Sequence, residues 1–396
     1  MQNWYVSEQQ YFLTLFVHIK YLSSITLSSS ATTTEAMDLI NKLMNIVFAP
    51  LAVLALYHFL PTYHFFKYLL STYNKIFSED VSGKVVLITG ASSGIGEHLA
   101  YEYARRGACL ALVARRKHRL QVVAAIAEEI GSPDAIILPG DVTKTNDCQE
   151  FVDATVKHFV DHLVANAGVT PVSMFEDVPD ITNFTPTMDI NFWGSVYSSH
   201  FAIPHLKRTK GKIIVIASCA SWLPTPRMSF YNASKAALVS MYETLRIELA
   251  PEIGITIVTP GLIESEMTGG KFLNQQGQLE ADQEMRDVGL YEHYHVILVV
   301  MPVESTPECA KAIVKSACRG EKYLTEPDWY RAIFFWKVFC PDVIEWSNRF
   351  FLMPGPGRSE RDTISKNIVD VVTKVKEFLI SSIGTAEFPD LVPCIG

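Results

Sequence analysis

From Val85 onward, short β-branched runs alternate with longer amphipathic stretches. Val85–Thr89, Cys109–Ala114, Ala135–Leu138, His162–Ala165, Ile213–Ala217 and Ile255–Thr259 are apolar at successive positions rather than at alternate ones. Strands buried on both faces read this way. Between them, Ile95–Arg106, Phe184–Leu206 and Tyr231–Leu249 carry apolar residues at helical spacing. The pattern predicts an α/β fold: a doubly wound parallel sheet, helices on both faces, and a ligand at the carboxyl ends of the strands.

The chain before Val85 is patterned differently. From Leu43 to Phe66 it has no Asp, Glu, Lys or Arg. As a helix, 24 residues span about 36 Å, enough for the roughly 30 Å of bilayer hydrocarbon. Pro50 and Pro61 interrupt this stretch, and Tyr57, Tyr63, Phe65, Phe66 and Tyr68 favour a membrane interface. A tilted span and a bent segment that enters and returns both fit. Upstream, Tyr11–Leu27 is fairly apolar and Ser28–Thr34 is Ser/Thr-rich, but no basic residue opens the chain as in a secretory signal. We therefore expect residues 1–36 to be an extension, Met37 to be the working start, 37–81 a hydrophobic anchor, 82–352 the α/β domain and 353–396 a tail.

Composition narrows the partners. A net charge of −8 with no basic stripe excludes nucleic acid and leaves membrane contact to apolar side chains. The seven cysteines are scattered and lack the paired spacing of disulfide frameworks or zinc sites, so we expect free thiols and no metal.

The first strand runs into Thr89-Gly90-Ala91-Ser92-Ser93-Gly94-Ile95-Gly96 and a helix. Glycines there let the backbone approach a pyrophosphate at the helix N-terminus. The second strand ends at Ala114-Arg115-Arg116, with no acid where an NAD site would place one. Guanidinium groups suit a 2′-phosphate, so we expect NADP(H). Tyr231 and Lys235, four apart, share a helix face, and Ser218 ends a strand 13 residues before the tyrosine. A phenol with a pKa of about 10 is a poor base at neutral pH, and a neighbouring ammonium would lower that value. Tyr231 would exchange a proton with the substrate oxygen. Lys235 would tune it and hold the nicotinamide ribose, and Ser218 would bind and orient the substrate oxygen.

From Val81 to Thr325 these residues resemble the short-chain dehydrogenase/reductase family, which is Rossmann-like. The likeness extends to Asp141-Val142, Asn166-Ala167-Gly168 and Pro260-Gly261, and Asn191, Ser218, Tyr231 and Lys235 fall at its catalytic tetrad. The resemblance implies that Asp141 and Val142 hold adenine and that Asn166, Ala167 and Gly168 support the cofactor and the sheet. It also implies that Asn191 holds a relay water and that Ile263 and Ser265 bond the nicotinamide carboxamide. A homodimer is common among members.

Met37-Asp-Leu-Ile-Asn, the Pro50/Pro61 segment and Val258–Met267 resemble the plant 11-beta-hydroxysteroid dehydrogenase-like proteins, the steroleosins, which sit on oil bodies through a proline-bearing anchor. That implies a sterol or steroid substrate and a lipid-droplet or ER membrane home, the catalytic domain facing the cytosol. A reductase of another lipid ketone, such as a 3-keto sphingoid base, would share every catalytic residue. A droplet-coat protein with a weak catalytic domain is the reading from another class.

One junction departs from the family: only Val160-Asp161 joins the helix ending near Phe159 to the strand at His162, without the usual glycine, which predicts a shortened helix or a strained strand. Leu262–Met301 reads as a substrate lid. Trp329–Leu352, with nine aromatics, reads as a helix pair closing the core or as an apolar rim resting on lipid.

Overall fold

The computed structural model describes residues 30–76, 78–156, 160–281 and 303–353. Contacts divide the chain into two units, up to Ile76 and from Phe77 on. Residues 1–29, the end of the lid and the tail after Met353 lie outside the described residues.

The described residues of the first unit form one helix, α1 (Ser30–Ile76), of 47 residues that runs unbroken through Pro50 and Pro61. Neither proline ends the helix. Each proline removes one backbone hydrogen bond, a loss that membrane helices tolerate. The helix begins before Met37, within the Ser/Thr-rich run. Ala36–Leu70 is long and apolar enough to cross a membrane, with an 18-residue window of mean hydropathy 2.0 and none of it buried. This helix is a candidate membrane anchor.

The second unit is the expected α/β domain. Its strands β1 (Val85–Thr89), β2 (Cys109–Ala114), β3 (Ala135–Pro139), β4 (His162–Ala165), β5 (Lys212–Ile216) and β6 (Gly254–Pro260) match the six apolar runs to within about two residues. A seventh, β9 (Tyr323–Glu326), was not foreseen. All are parallel, in the order β3-β2-β1-β4-β5-β6-β9. The order reverses between β1 and β4, which opens a crevice at the carboxyl ends. Strand side chains alternate between the two faces. Val86, Ile88, Leu110 and Leu112 meet α2 (Gly94–Arg105), α3 (Lys117–Glu129) and α7 (Thr306–Cys318). Leu87, Val113, Leu163 and Ile213 meet α4 (Thr145–Val156), α5 (Gly194–Thr209) and α6 (Ser229–Glu248). A two-stranded hairpin, β7 (Lys271–Leu273) with β8 (Leu279–Ala281), occupies the lid region. The chain's last described elements are α8 (Tyr330–Phe339) and α9 (Pro341–Leu352).

Residues 157–159 of the unusual junction lie outside the described residues. On its far side, Asp161 accepts the Val85 N–H through its carboxylate at 2.9 Å and donates its own N–H to the Val85 carbonyl at 2.9 Å. Strand β4 then pairs in register with both neighbours, so no strain shows in it.

At the opposite, amino end of the sheet, Glu79 pairs with Lys84, Lys212 and the fully buried His162, whose Nδ1 is 3.0 Å from the Tyr103 hydroxyl. Burial would raise the Glu79 carboxyl, but His162, Lys212 and Lys84 outweigh it and hold it well below the ordinary range. A carboxylate with a depressed folded pKa stabilises the fold above its unfolded value and loses that contribution as pH falls. Glu79→Ala should therefore destabilise the domain by about 2 kcal/mol, between a surface and a buried pair, at pH 7 and by less at pH 4. Thermal unfolding at the two pH values checks this; equal losses at both would contradict it.

Candidate active site

The crevice is a cleft of about 450 Å³. Its floor is the turn from β1 into α2. Ser93 precedes α2 without capping it, so the helix N-terminus keeps its backbone donors for an anion. Gly96 has no room for a side chain: a Cβ would lie 2.4 Å from the Gly90 carbonyl oxygen and 2.5 Å from Asn166 Nδ2. Asn166 donates that Nδ2 to the carbonyls of Thr89 at 3.0 Å and Gly90 at 3.3 Å, and its N–H to Thr89 Oγ1 at 3.0 Å. The end of β4 is thus fastened to the glycine turn.

The two arginines after β2 have separate tasks. Arg116 donates Nη2 to Ser93 Oγ at 2.6 Å and to Ser92 Oγ at 3.0 Å, and Nη1 to both oxygens of Glu266 at 3.2 and 3.1 Å. Lys271 reaches the same Glu266 carboxylate at 2.8 Å. Burial would raise that carboxyl, but Lys271 and Arg116 hold it down at about 2. Arg115 lines the cleft and makes no side-chain hydrogen bond or ion pair among the described residues. Beside it Asp141 accepts the Thr143 N–H and hydroxyl at 3.1 and 2.9 Å, which fixes the turn that carries Val142.

Deeper in the cleft stand Ser218, Tyr231 and Lys235. Ser218 follows β5 in extended backbone, and its Oγ donates to the Pro260 carbonyl at 3.4 Å. Lys235 lies one helical turn beyond Tyr231 on α6. Its ammonium donates to the Ile216 carbonyl at 2.9 Å and stands 5.8 Å from the centre of the Tyr231 ring. Both side chains are buried. Burial lowers Lys235 to about 8. It raises Tyr231 to about 12, an effect that its hydrogen bond with Ser218 offsets only in part. The expectation of a phenol lowered by the lysine is corrected here: the ammonium is turned to a backbone carbonyl, and desolvation wins.

Asn191 is fully buried in a π-helical turn, Asp189–Trp193, ahead of α5. Its side chain accepts the Val169 N–H at 2.8 Å and donates to the Val169 carbonyl and to Ser234 Oγ, each at 2.9 Å. Gly168 is bare where Asn191 and Lys235 converge: a Cβ there would meet Asn191 Oδ1 at 3.3 Å and Lys235 Nζ at 3.4 Å. Above them Ile263, Ser265 and their neighbours form a loop after Pro260-Gly261. Thr268 ties it by donating to the Ile263 carbonyl at 2.9 Å and accepting the Ser265 N–H at 2.8 Å. Of the residues picked from the sequence, only Gly96 and Asn191 are not on the cleft wall; both stand directly behind it.

The short chain dehydrogenase family profile matches residues 84–276. Over 345 residues the chain is 52% identical to 11-beta-hydroxysteroid dehydrogenase A of Sesamum indicum, covering 87% of this chain and 96% of that protein. It is 51% identical over 353 residues to 11-beta-hydroxysteroid dehydrogenase 1A of Arabidopsis thaliana, covering 89% and 99%. This chain belongs to the short-chain dehydrogenase family. Among solved structures, a short-chain type dehydrogenase/reductase from Mycobacterium marinum superposes with a TM-score of 0.54 at 28% identity, over 63% of this chain and 96% of that one. A short chain dehydrogenase from Burkholderia cenocepacia, in complex with NADP, shares the fold with a TM-score of 0.55 at 22% identity, over 68% and 98%.

This dehydrogenase is therefore an oxidoreductase, and its cleft suits a nicotinamide dinucleotide: an uncapped helix N-terminus for the pyrophosphate, Arg115 at one end, and Tyr231 at the other. Sequence reasoning missed Glu266, Thr268, Lys271 and Leu279, which also line the cleft. All lie in the lid region, where no periodicity marks which side chain turns inward. It also missed Arg119, which donates Nε to the Ser92 carbonyl at 3.4 Å and pairs with Glu97. Gly96→Ala should weaken dinucleotide binding at least tenfold, because the atoms in the way are largely backbone. Titration calorimetry of the full chain with NADPH and NADH checks this; unchanged affinity for both would refute the close approach.

Proposed function

We propose that this short-chain dehydrogenase interconverts a secondary hydroxyl and a ketone on a sterol- or steroid-like substrate, with NADP(H), at a lipid-droplet or ER membrane surface that α1 holds it to, the catalytic domain facing the cytosol. The observation that carries the reading is the meeting of Ser218, Tyr231 and Lys235 in one cleft whose other end presents the Arg115 guanidinium. The substrate class is supported by the relatives called 11-beta-hydroxysteroid dehydrogenases and by aromatic side chains beside the catalytic groups. Phe230, next to Tyr231, packs on Phe175 and Phe184 with ring centres 5.8 and 5.0 Å away.

NADPH would supply the hydride for reduction, and NADP+ would accept it for oxidation. Ser218 Oγ receives the substrate oxygen and points it at the phenol. In the reducing direction Tyr231, protonated at neutral pH, gives its proton to the carbonyl oxygen as the carbon gains hydride; in oxidation the proton returns from the alcohol. Lys235, 5.8 Å from the Tyr231 ring centre, would offset part of the negative charge left on the phenol oxygen, less than desolvation opposes it, and would hold the ribose. Asn191 acts as a positioning residue: its side chain locks Val169 to Ser234 of α6, directly behind the cleft wall at Gly168. Arg115, which has no side-chain partner among the described residues, would hold the 2′-phosphate, with Arg116 beside it already held by Ser92, Ser93 and Glu266.

Turnover of a panel of steroid alcohols and ketones by the full chain tests the reading. Tyr231→Phe should lower kcat by at least a thousandfold with little change in dinucleotide affinity. Comparable turnover in that variant, or activity confined to sphingoid ketones, would displace it. Arg115→Ala should weaken NADPH about 10- to 100-fold and leave NADH within about twofold, from the loss of a charge-assisted contact. An equal effect on both nucleotides would contradict the 2′-phosphate role.

The pH dependence follows from Lys235. A cation with a pKa of about 8 keeps its charge below that value and loses it above. Reductive kcat should accordingly fall as pH rises through about 8, while Tyr231 remains protonated. Lys235→Arg should move that limb upward; a limb unmoved by the substitution would assign it to another group.

A further inference from the structure

Helices α8 and α9 were expected either to close the core or to form an apolar rim. Of their residues only Tyr330 is buried. Phe335 is 62% exposed, Trp336 56%, Phe339 76% and Trp346 63%. Val343, Trp346 and Phe350 recur at helical spacing on α9, with the rings of Trp346 and Phe350 stacked 5.1 Å apart. Asp342, Glu345 and Arg349 form a neighbouring stripe. On α8 the run Phe334-Phe335-Trp336-Lys337-Val338-Phe339 has a single charge. Elsewhere on the domain the large exposed apolar side chains, such as Val122, Ile126 and Ile247, are more scattered. Continuous exposure of this kind marks an interaction surface.

The pair is also joined to the catalytic loops. Trp222, in the segment between Ser218 and Tyr231, meets Phe334 edge to face at 5.2 Å. Asn348 donates to the Pro224 carbonyl at 2.7 Å, and the Tyr330 hydroxyl accepts the Leu262 N–H at 3.2 Å. The aromatic face therefore continues from the segment that carries the substrate-orienting serine.

We propose that the outward face of α8 and α9 docks on a phospholipid surface and passes a lipophilic substrate from it towards Ser218 and Tyr231. The occupant is lipid because the same chain carries a bilayer-length apolar helix, which keeps such a surface within reach. The composition agrees: Lys337 and Arg349 lie among aromatic rings, as suits side chains whose stems lie in the interface while their charges reach water. The core of a contact between two copies would be depleted of lysine. The substrate-passing part rests on the proposed sterol-class activity; the docking does not.

Two measurements on the full chain in phosphatidylcholine vesicles separate these parts. The emission of Trp336 and Trp346 is read as the difference between parent and the Trp336→Phe/Trp346→Phe variant, in vesicles with and without bromine-labelled acyl chains. Brominated chains should remove at least half of that difference. An undiminished difference would overturn the docking, and with it disulfide crosslinking of Phe339→Cys copies would assign the face to a second copy. Phe335→Asp/Phe339→Asp should then raise KM for a vesicle-borne steroid about fivefold or more and leave NADPH affinity unchanged. An unchanged KM would overturn substrate passage. If neither protein turned over any steroid while quenching persisted, the activity assignment would fail and the docking would stand.

Discussion

Where the sheet order reverses between β1 and β4, the glycine turn and the end of β4 are drawn so close that no side chain fits between them. Thr89 Oγ1 accepts the backbone N–H groups of Asn166 and Ala167 and donates to the Val164 carbonyl at 3.2 Å. Asn166 in turn holds the carbonyls of Thr89 and Gly90. These bonds satisfy the backbone of two strand ends that would otherwise be left unpaired as the sheet opens. They also hold the N-terminus of α2 facing the cleft. The placing of the uncapped α2 N-terminus, the floor beneath Lys235 and the spacing of the two halves of the sheet all depend on this one approach.

From that floor the cleft is graded. One end is cationic, with Arg115, Arg116 and Lys271 set against the carboxylates of Glu266 and Asp141. The other end is dry, with Tyr231 and Lys235 both buried and the charged form of each disfavoured. A group that must change its charge during a reaction gains from such a setting, since small changes in its partners shift its proton affinity widely. The ligand that suits this gradient has phosphate at one end and a reactive, weakly polar centre at the other. Aromatic side chains follow these groups along the chain: Phe230, next to Tyr231, packs on Phe175 and Phe184, and Trp222, after Ser218, meets Phe334.

Much of this was legible along the chain. Six strands were visible because burial on both faces demands continuous apolar runs, and the glycine turn was visible because only bare backbone permits the approach of Gly96 to Gly90. Tyr231 and Lys235 were found by their helical spacing, and Ser218 by its place at a strand end. Strand β9 was not legible: Tyr-Leu-Thr-Glu is short and half polar, and it forms by pairing with the edge of β6. The β7–β8 hairpin was missed for a similar reason.

The local sequence therefore determined which elements form and which chemical groups they carry, since periodicity, turn residues and strand ends act over a few positions. Tertiary structure alone decided what those groups experience. Arg115 and Arg116 are adjacent and identical in type, yet one is bound by serines and a distant glutamate and the other is not. Lys235 was expected to lower the phenol of Tyr231, but it turns to the Ile216 carbonyl, and burial raises the phenol instead. The aromatic residues of α8 and α9 could have filled a core as easily as covered a surface; packing left them outside. Proton affinity, ion pairing and exposure are set by neighbours brought from far along the chain, and these no local pattern specifies.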